Sequence, residues 1–330
     1  MAELISAEQF DNRRSRLDNE FVKEAEELLE KYRNGDRTLK LLLNEQMSKH
    51  TGFRTGGPAD YFITVPDTDL LKKIITLAIK KEITYYIIGN GSNMLVSDSG
   101  FRGLIIRIKS EPELDFGQKN EEGRTVVTVS AGCSLAKLAT ECASRGLKGL
   151  EFAAGIPGTV GGAVVMNAGA YGGEIKDCIV KAGLLDRTGN DLELDRDGLE
   201  LGYRTSIIRK KNYIVINAQF ALEDTDPEES RRLIAELAAK RREKQPLEYP
   251  SAGSTFKRPE GYFAGKLIED AGLKGFCTGD AQVSEKHAGF IINKGNASSA
   301  DIHALIGEVQ RRVFEDSGVR LEPEVIFLGF

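Results

Sequence analysis

The chain has 330 residues, of which 41% are hydrophobic and 29% charged, with a formal net charge of −5. These values are typical of a globular protein with a large core, and the acidic balance argues against a nucleic-acid binder. No apolar run approaches 18 residues and no secretory signal is evident, so we expect no membrane span and a cytoplasmic location. Three histidines and four scattered cysteines without a C-x-x-C pair argue against a metal site.

Periodicity predicts the main elements in chain order. The charged segment 1–45 contains an amphipathic helix from Glu20, and Ser134 caps a helix that ends at Gly146. The other predicted helices cover about residues 67–80, 227–244 and 300–317. The predicted strands cover residues 61–65, 85–88, 104–108, 126–129, 180–186, 213–222 and 319–328.

The segment 153–173 contains seven glycines among small residues and almost no charge. Each glycine costs about 1 kcal/mol relative to alanine in a helix, so this density predicts an ordered loop system rather than a core helix. Backbone N–H groups that are exposed in such a loop suit a pyrophosphate.

Earlier in the chain, the loop Gly89-Asn90-Gly91-Ser92-Asn93 directly follows the predicted strand 85–88. We call it the first glycine loop and residues 153–173 the second. A Rossmann fingerprint would need a third glycine where Met94 stands and a helix after it, so this loop is not one. Alone, the loop is more typical of a β-turn with a bulge. Two such loops in one chain favour a bound dinucleotide of a non-Rossmann type.

Three further residues could take part in chemistry, although each is also compatible with a structural role. Ser254 follows a glycine but lies outside a G-x-S-x-G motif, so a proton donor is a better interpretation than a hydrolase nucleophile. Arg204 precedes small polar residues and could bind an anion. Glu324 lies beside an apolar segment, where an acid must be solvated, paired or functional. The basic cluster 240–244 is either a solvated helix end or a site for a second phosphate-bearing ligand.

The ordered set of motifs resembles the UDP-N-acetylenolpyruvoylglucosamine reductases, flavoenzymes of bacterial peptidoglycan synthesis. The resemblance covers nearly all of residues 46–330 and is closest to the shorter second subtype. Its motifs are H-T-G-F-R-T-G-G-P-A from His50, G-N-G-S-N, A-G-I-P-G-T-V-G-G, N-A-G-A-Y-G, Y-R-T-S, K-Q-P, A-G-S-T-F-K-R-P and L-E-P-E-V.

The resemblance implies an α+β fold with a two-lobed FAD-binding domain of the vanillyl-alcohol oxidase type and a smaller α+β substrate-binding domain. We expect a helical segment 1–45, an FAD domain 46–222 with lobes at about 46–112 and 120–222, and a substrate domain 223–330. The last strand, 319–328, is expected to bring Glu324 back to the active site.

The same resemblance implies non-covalent FAD, NADPH as co-substrate and a UDP-sugar whose enolpyruvyl ether is reduced to UDP-N-acetylmuramate. Hydride would reach C3, Ser254 would protonate C2, and Arg204 with Glu324 would stabilise the enolate-like intermediate. The implied substrate contacts are Tyr171, Lys244, Arg258, Lys274 and His287. The implied FAD contacts are Gly89, Asn90, Gly91, Ser92, Asn93, Ile156, Gly158, Thr159, Gly161, Gly162, Asn167, Gly169 and Ala170.

For the reductase interpretation we expect a monomer, and two alternatives stay open at this point. One is an oxidase of the same fold that tethers its flavin covalently, for which His50 is the nearest histidine to the glycine loops. The other is a non-catalytic nucleotide-binding module, in which Arg204, Ser254 and Glu324 would have no shared purpose.

Overall fold

The computed structural model describes residues 7–33, 38–111 and 114–330. The N-terminal segment forms α1 (Ala7–Tyr32), which begins earlier than the helix predicted from Glu20. The segment expected to be helical up to residue 45 also contains the start of a strand, β1 (Leu41–Gln46), which belongs to the sheet of the first lobe. Phe21, Ala25 and Leu29 are spaced four residues apart and are fully buried. Because this spacing puts them on one face, α1 packs that face against the following lobe.

The first lobe (residues 38–111) is built on a four-stranded sheet in the order β1-β2-β5-β3. Strands β2, β5 and β3 are parallel, and β1 is antiparallel to β2. Asp67 caps α2 by accepting a hydrogen bond from the Leu70 amide at 2.8 Å. The elements are β1 (Leu41–Gln46), β2 (Pro58–Val65), α2 (Thr68–Lys80), β3 (Tyr85–Ile88), β4 (Met94–Val96) and β5 (Phe101–Ile108).

The second lobe (residues 114–224) is built on an antiparallel sheet in the order β12-β11-β13-β7-β6. Ser134 caps α3, as predicted. The elements are β6 (Leu114–Lys119), β7 (Thr125–Ser130), α3 (Leu135–Ser144), β8 (Leu147–Lys148), α4 (Val160–Met166), β9 (Gly169–Ala170), β10 (Gly173–Glu174), β11 (Ile179–Leu185), β12 (Asp191–Asp195), α5 (Ile207–Lys211) and β13 (Ile214–Asp224).

Helix α4 shows that the prediction of a loop throughout 153–173 was wrong in part. The side chain of Thr159 caps this seven-residue helix, and Asn167 ends it in the left-handed conformation. Packing overrides the poor helix propensity of its glycines. A side chain at Gly161 would place its Cβ 2.9 Å from that of Ala131, so the helix approaches its neighbour closely only with glycine there.

The remaining chain (residues 227–330) begins with α6 and continues with a four-stranded sheet in the order β14-β17-β16-β15. Helix α8 lies against β15, β16 and β17 of this sheet. The elements are α6 (Pro227–Lys244), β14 (Ser251–Ser254), α7 (Ala264–Asp270), β15 (Cys277–Thr278), β16 (Ala281–Val283), β17 (Phe290–Asn293), α8 (Ser299–Ser317) and β18 (Ile326–Leu328).

Strand β18 is much shorter than the predicted strand 319–328. Pro323 interrupts regular pairing because it has no N–H to donate, and it forms only an isolated bridge with Phe256. The strand that does form pairs in parallel with β4 of the first lobe. This pairing attaches the end of the chain to the strand that follows the first glycine loop.

The packing of α6 bears on the domain division. This helix contacts α3 and β8 of the second lobe rather than the C-terminal sheet. We therefore propose that the C-terminal domain begins after α6, near residue 245, instead of at residue 223.

The core of the C-terminal domain also includes side chains from the first lobe. Phe53 and Leu95 are fully buried among its apolar residues. Asn293 donates a side-chain hydrogen bond to the Phe53 carbonyl at 3.0 Å. Two side chains of the first lobe thus complete the core of the C-terminal domain.

Candidate active site

A cleft of about 740 Å³ is lined by residues of both lobes and of the C-terminal domain. The structure brings the three predicted catalytic residues, Arg204, Ser254 and Glu324, to its wall. Every predicted FAD contact except Asn167 also lines it. Segments that are more than 200 residues apart in the chain therefore meet around one cavity.

The two glycine loops contact each other directly. A Cβ atom on Gly89 would lie 2.3 Å from Oγ1 of Thr159, so the first loop packs closely on the second. The side chain of Asn90 donates a hydrogen bond to the Pro157 carbonyl at 3.2 Å. This contact makes the two loops one continuous surface.

The glycines of these loops allow the close contact between them, in addition to any contact with a ligand. At Gly91, φ is +62° and a Cβ would lie 1.9 Å from the carbonyl oxygen of His50, so only glycine fits. Gly158 lines the cleft, and the nearest atom to a Cβ there would be Oγ of Ser92, at 3.8 Å. Space for a ligand therefore lies beside Gly158, and the tight approach at Gly91 is to the protein itself.

Free backbone donors lie in the first loop. Within the described part of the chain, no acceptor is present for the N–H groups of residues 90–92. By contrast, the N–H groups of Val160 and Gly161 donate to carbonyl groups of residues 131–133 at 2.9 Å each. Successive unpaired N–H groups facing a cavity suit an anion such as a diphosphate.

Arg204 and Glu324 form an ion pair in the cleft, with Nε donating to Oε1 at 2.7 Å. Their side chains are only 18% and 15% exposed. Nη2 of Arg204 also donates to the Gly169 carbonyl at 3.1 Å. Burial raises the pKa of the Glu324 carboxyl, and the charge of Arg204 and its hydrogen bond act in the opposite direction.

The turn that carries Arg204 is strained and firmly held. Arg204 has φ +54°, a left-handed conformation that a non-glycine residue adopts at a cost and often at functional sites. Gly202 and Thr205 exchange backbone hydrogen bonds across the turn. Asn167 donates to the Gly202 carbonyl at 3.0 Å and is fully buried. Asn167, predicted as an FAD contact, thus lies behind the cleft and supports the Arg204 turn.

Ser254 ends β14 and is exposed to the cleft. The neighbouring Thr255 is fully buried, and its carbonyl accepts a hydrogen bond from the Glu324 amide at 2.8 Å. This bond places the segment of Glu324 beside that of Ser254. The order of these residues along the chain contains no sign of this pairing.

Among the five predicted substrate contacts, only Tyr171 lines the cleft. Lys274 is 2.8 Å from Glu269 in an ion pair, and Lys244 is exposed at the end of α6. The guanidinium of Arg258 lies 3.9 Å from the ring centroid of Phe263. The structure does not bring these three cations to the cleft wall.

His287 also lies off the cleft wall, with its ring 5.0 Å from that of Phe290, which does line the cleft. Its Nδ1 accepts a hydrogen bond from the Gly289 amide at 3.1 Å. Burial lowers the pKa of His287, which favours the neutral form of the ring.

Arg241 and Gln245 line the cleft although they were not among the predicted site residues. The guanidinium of Arg241 lies on the backbone of Gly155, where a Cβ would be 2.5 Å from Nη1. It also lies 5.9 Å from the ring centroid of Tyr171. Helical spacing could have found it, because the packed face of α6 runs through Ile234 and Leu237 to Arg241.

His50, the histidine nearest to the glycine loops, does not line the cleft. Its ring stacks on Phe62 with centroids 4.1 Å apart, and Nε2 lies 3.0 Å from Glu45. Burial lowers the pKa of this imidazole. These contacts leave its side chain without access to a ligand in the cleft.

Across the described residues, no helix is both long and apolar enough to span a bilayer.

Comparisons with known proteins agree with this architecture. A family described as an FAD binding domain matches residues 59–195, and one described as the C-terminal domain of UDP-N-acetylenolpyruvoylglucosamine reductase matches residues 245–328. The second match begins where α6 ends.

Relatives of the whole chain carry the same description. A UDP-N-acetylenolpyruvoylglucosamine reductase of Agathobacter rectalis is 54% identical over 88% of this chain and 95% of its own. That of Lachnoclostridium phytofermentans is 51% identical over 92% of this chain and 97% of its own. The crystal structure of the Thermus caldophilus enzyme is 36% identical, with a TM-score of 0.71 over 88% of this chain and 98% of that one.

These matches confirm the predicted two-lobed FAD-binding fold with an added C-terminal domain. With a cleft of free amides beside a partly buried Arg–Glu pair and a serine, and with relatives above 50% identity along most of its length, the chain belongs to the UDP-N-acetylenolpyruvoylglucosamine reductase family.

Proposed function

We propose that this enzyme reduces the enolpyruvyl ether of a UDP-sugar to UDP-N-acetylmuramate, using NADPH and non-covalently bound FAD. One observation carries the proposal: Arg204, Ser254, Glu324 and the free amides of residues 90–92 all line the same cleft. An anion-binding loop and a proton-donating group at one cavity are what a flavin-dependent reduction of a carbon–carbon double bond needs.

The residues of the cleft fit FAD. The amides of residues 90–92 would hold its diphosphate, and the open space beside Gly158 would receive the adjoining atoms. Bound FAD supplies the transfer of hydride from NADPH to the substrate. The family relationship supports this cofactor independently, through the match of residues 59–195 to an FAD binding domain.

Arg204 is placed to stabilise negative charge on the substrate carboxylate. Its Nε and Nη2 are held by Glu324 and the Gly169 carbonyl. In the described residues Nη1 has no hydrogen-bond acceptor and is free to contact substrate. A fixed guanidinium stabilises the developing enolate more than the ground state, because the charge grows along the reaction.

Ser254 would then protonate C2 of the enolate. Its hydroxyl is exposed in the cleft, while the following residue is locked by backbone bonds to the Gly289 carbonyl and the Glu324 amide. A hydroxyl that is fixed in position donates its proton from one face only. This arrangement explains how a weak acid gives a single stereochemical outcome.

A visible absorption spectrum of the purified protein is the first test. We expect flavin absorbance that is lost from the protein on acid precipitation, because no covalent link holds the cofactor. NADPH oxidation should then depend on the enolpyruvyl UDP-sugar. A colourless protein that takes up no added FAD, or oxidation of NADPH that ignores the UDP-sugar, contradicts the proposal.

Four of the predicted substrate contacts do not line the cleft. In their place, we propose Arg241 as the cation that holds the diphosphate of the UDP-sugar. We expect Arg241→Gln to raise KM for the UDP-sugar roughly 10-fold or more, since a charge-assisted hydrogen bond contributes about 1.5–3 kcal/mol. Flavin content should stay normal. Steady-state kinetics against each substrate measure this.

Arg242→Gln is the matched control, because Arg242 is exposed on the same helix and does not line the cleft. Its KM values should equal those of the unmodified enzyme. Loss of flavin from Arg241→Gln, or equal effects of the two substitutions, would show that Arg241 does not bind this substrate.

Two further expectations belong to this proposal. We propose that the enzyme is a monomer and acts in the cytoplasm on a nucleotide-linked sugar. Size-exclusion chromatography with light scattering tests the monomeric state, and cell fractionation tests the cytoplasmic location.

A further inference from the structure

The first glycine loop is joined to the segment of Glu324 by a single residue, Asn93. The side-chain amide of Asn93 donates to the Glu324 carbonyl at 3.2 Å. Its own carbonyl accepts from the Ile326 amide at 3.0 Å. Immediately after it, β4 and β18 pair in parallel from the register Met94–Ile326 onward.

The backbone of Glu324 is therefore held on both sides. Its N–H donates to the carbonyl of Thr255, which adjoins Ser254, and its C=O accepts from Asn93, which ends the loop of free amides. The residues before β18 have no regular secondary structure of their own apart from the bridge at Pro323. These two bonds thus set the direction from which the Glu324 side chain reaches Arg204.

We propose that Asn93 is a positioning residue that couples the diphosphate-binding loop to the Arg204–Glu324 pair. Binding of FAD to residues 90–92 would fix Asn93, and Asn93 would in turn fix the backbone of Glu324. This inference rests on the proposed function, because it assigns the loop to FAD and Glu324 to the reduction of the UDP-sugar. It adds a role for Asn93 beyond the predicted contact with FAD.

The substitution Asn93→Asp tests the proposal with almost unchanged shape. A carboxylate cannot donate to the Glu324 carbonyl, and its charge repels that oxygen. We expect the single-turnover reoxidation of reduced enzyme by the UDP-sugar to slow roughly 10- to 100-fold, as small misplacements of catalytic groups do. Rates are taken on the flavin-bound fraction, because Asn93 adjoins the diphosphate-binding loop. The loss in reoxidation should exceed any loss in reduction by NADPH, since Glu324 acts only on the second substrate.

A double-mutant cycle with Glu324→Gln distinguishes an effect of Asn93 on the position of Glu324 from a general distortion of the cleft. If Asn93 acts through Glu324, the double variant should be little slower than Glu324→Gln alone. Asn90→Ala is the matched comparison, because this asparagine of the same loop donates to Pro157 instead. Its effect should appear as weaker FAD binding and should add fully to that of Glu324→Gln.

Hydrogen exchange gives a readout that does not depend on activity. Adding FAD to the apoprotein should slow exchange in residues 321–328 of the unmodified chain. In Asn93→Asp this protection should be lost, while protection of residues 89–92 remains. Equal protection of residues 321–328 in both proteins, or losses that add in the cycle, would overturn the proposal.

The same experiments separate this inference from the proposed function. If the unmodified enzyme fails to reduce the enolpyruvyl UDP-sugar, the proposed function is wrong. If it reduces that substrate and Asn93→Asp reduces it equally fast, only the role of Asn93 is wrong.

Discussion

Replacement of Ser254 by alanine is expected to abolish reduction of the UDP-sugar while leaving flavin binding and reduction by NADPH intact. Ser254 is exposed in the cleft, and the described chain gives its hydroxyl no hydrogen-bond partner. Its removal should therefore cost little stability. Loss of a positioned proton donor commonly lowers a rate roughly 10²–10⁴-fold. Stopped-flow absorbance in the two half-reactions measures the two steps separately.

The control for Ser254→Ala is Ser251→Ala, at the other end of β14. Ser251 pairs with Ile292 across the same sheet and does not line the cleft. We expect this variant to show normal rates in both half-reactions. Normal reoxidation of Ser254→Ala by the UDP-sugar would contradict the assignment of Ser254, and slow reduction by NADPH would point to a distorted cleft instead.

Replacement of Gly91 by alanine should remove FAD from the protein. The added Cβ would lie 1.9 Å from the carbonyl oxygen of His50, which is backbone and cannot turn aside. The left-handed conformation adds about 1–2 kcal/mol for any L-residue. The loop must therefore move, and the free amides of residues 90–92 lose their arrangement. Flavin absorbance per protein and the melting temperature with added FAD measure the effect.

Gly123→Ala isolates the cost of backbone conformation alone. Gly123 has φ +76°, and a Cβ there would meet no atom within 4 Å. We expect a loss of about 1–2 kcal/mol in stability with unchanged flavin content. If Gly91→Ala behaves in the same way, the close contact with His50 does not determine the shape of the loop.

Much of the fold was predictable because its signals are local. The apolar face of α2 and the cap at Ser134 depend on residues within a few positions of each other. The motifs around Gly89 and Ser254 likewise pointed to cleft residues. Neighbouring residues were enough to predict the helices, whereas for Ser254 they left a structural role open and the resemblance to the reductase family supplied the assignment.

What the sequence did not predict depends on distant contacts. Helix α4 forms because Gly161 packs on Ala131, which outweighs the poor propensity of its glycines. Asn167 stands in a recognised motif, but its side chain is used to hold the Arg204 turn. The strand expected over 319–328 contains Pro323, and its pairing with β4 decides its length. Arg241 reaches the cleft because α6 packs on the second lobe, which residue type alone does not reveal.

The packing of Phe53 and Leu95 into the core of the C-terminal domain has a consequence for fragments of this protein. Phe53 and Leu95 fill space that residues 245–330 enclose. A polypeptide that begins at residue 245 would lose these two large side chains and expose the apolar surface they cover. We therefore expect residues 245–330 not to fold on their own, although a separate family model matches them. Fragments divided at residue 245 should be soluble only when they are produced together.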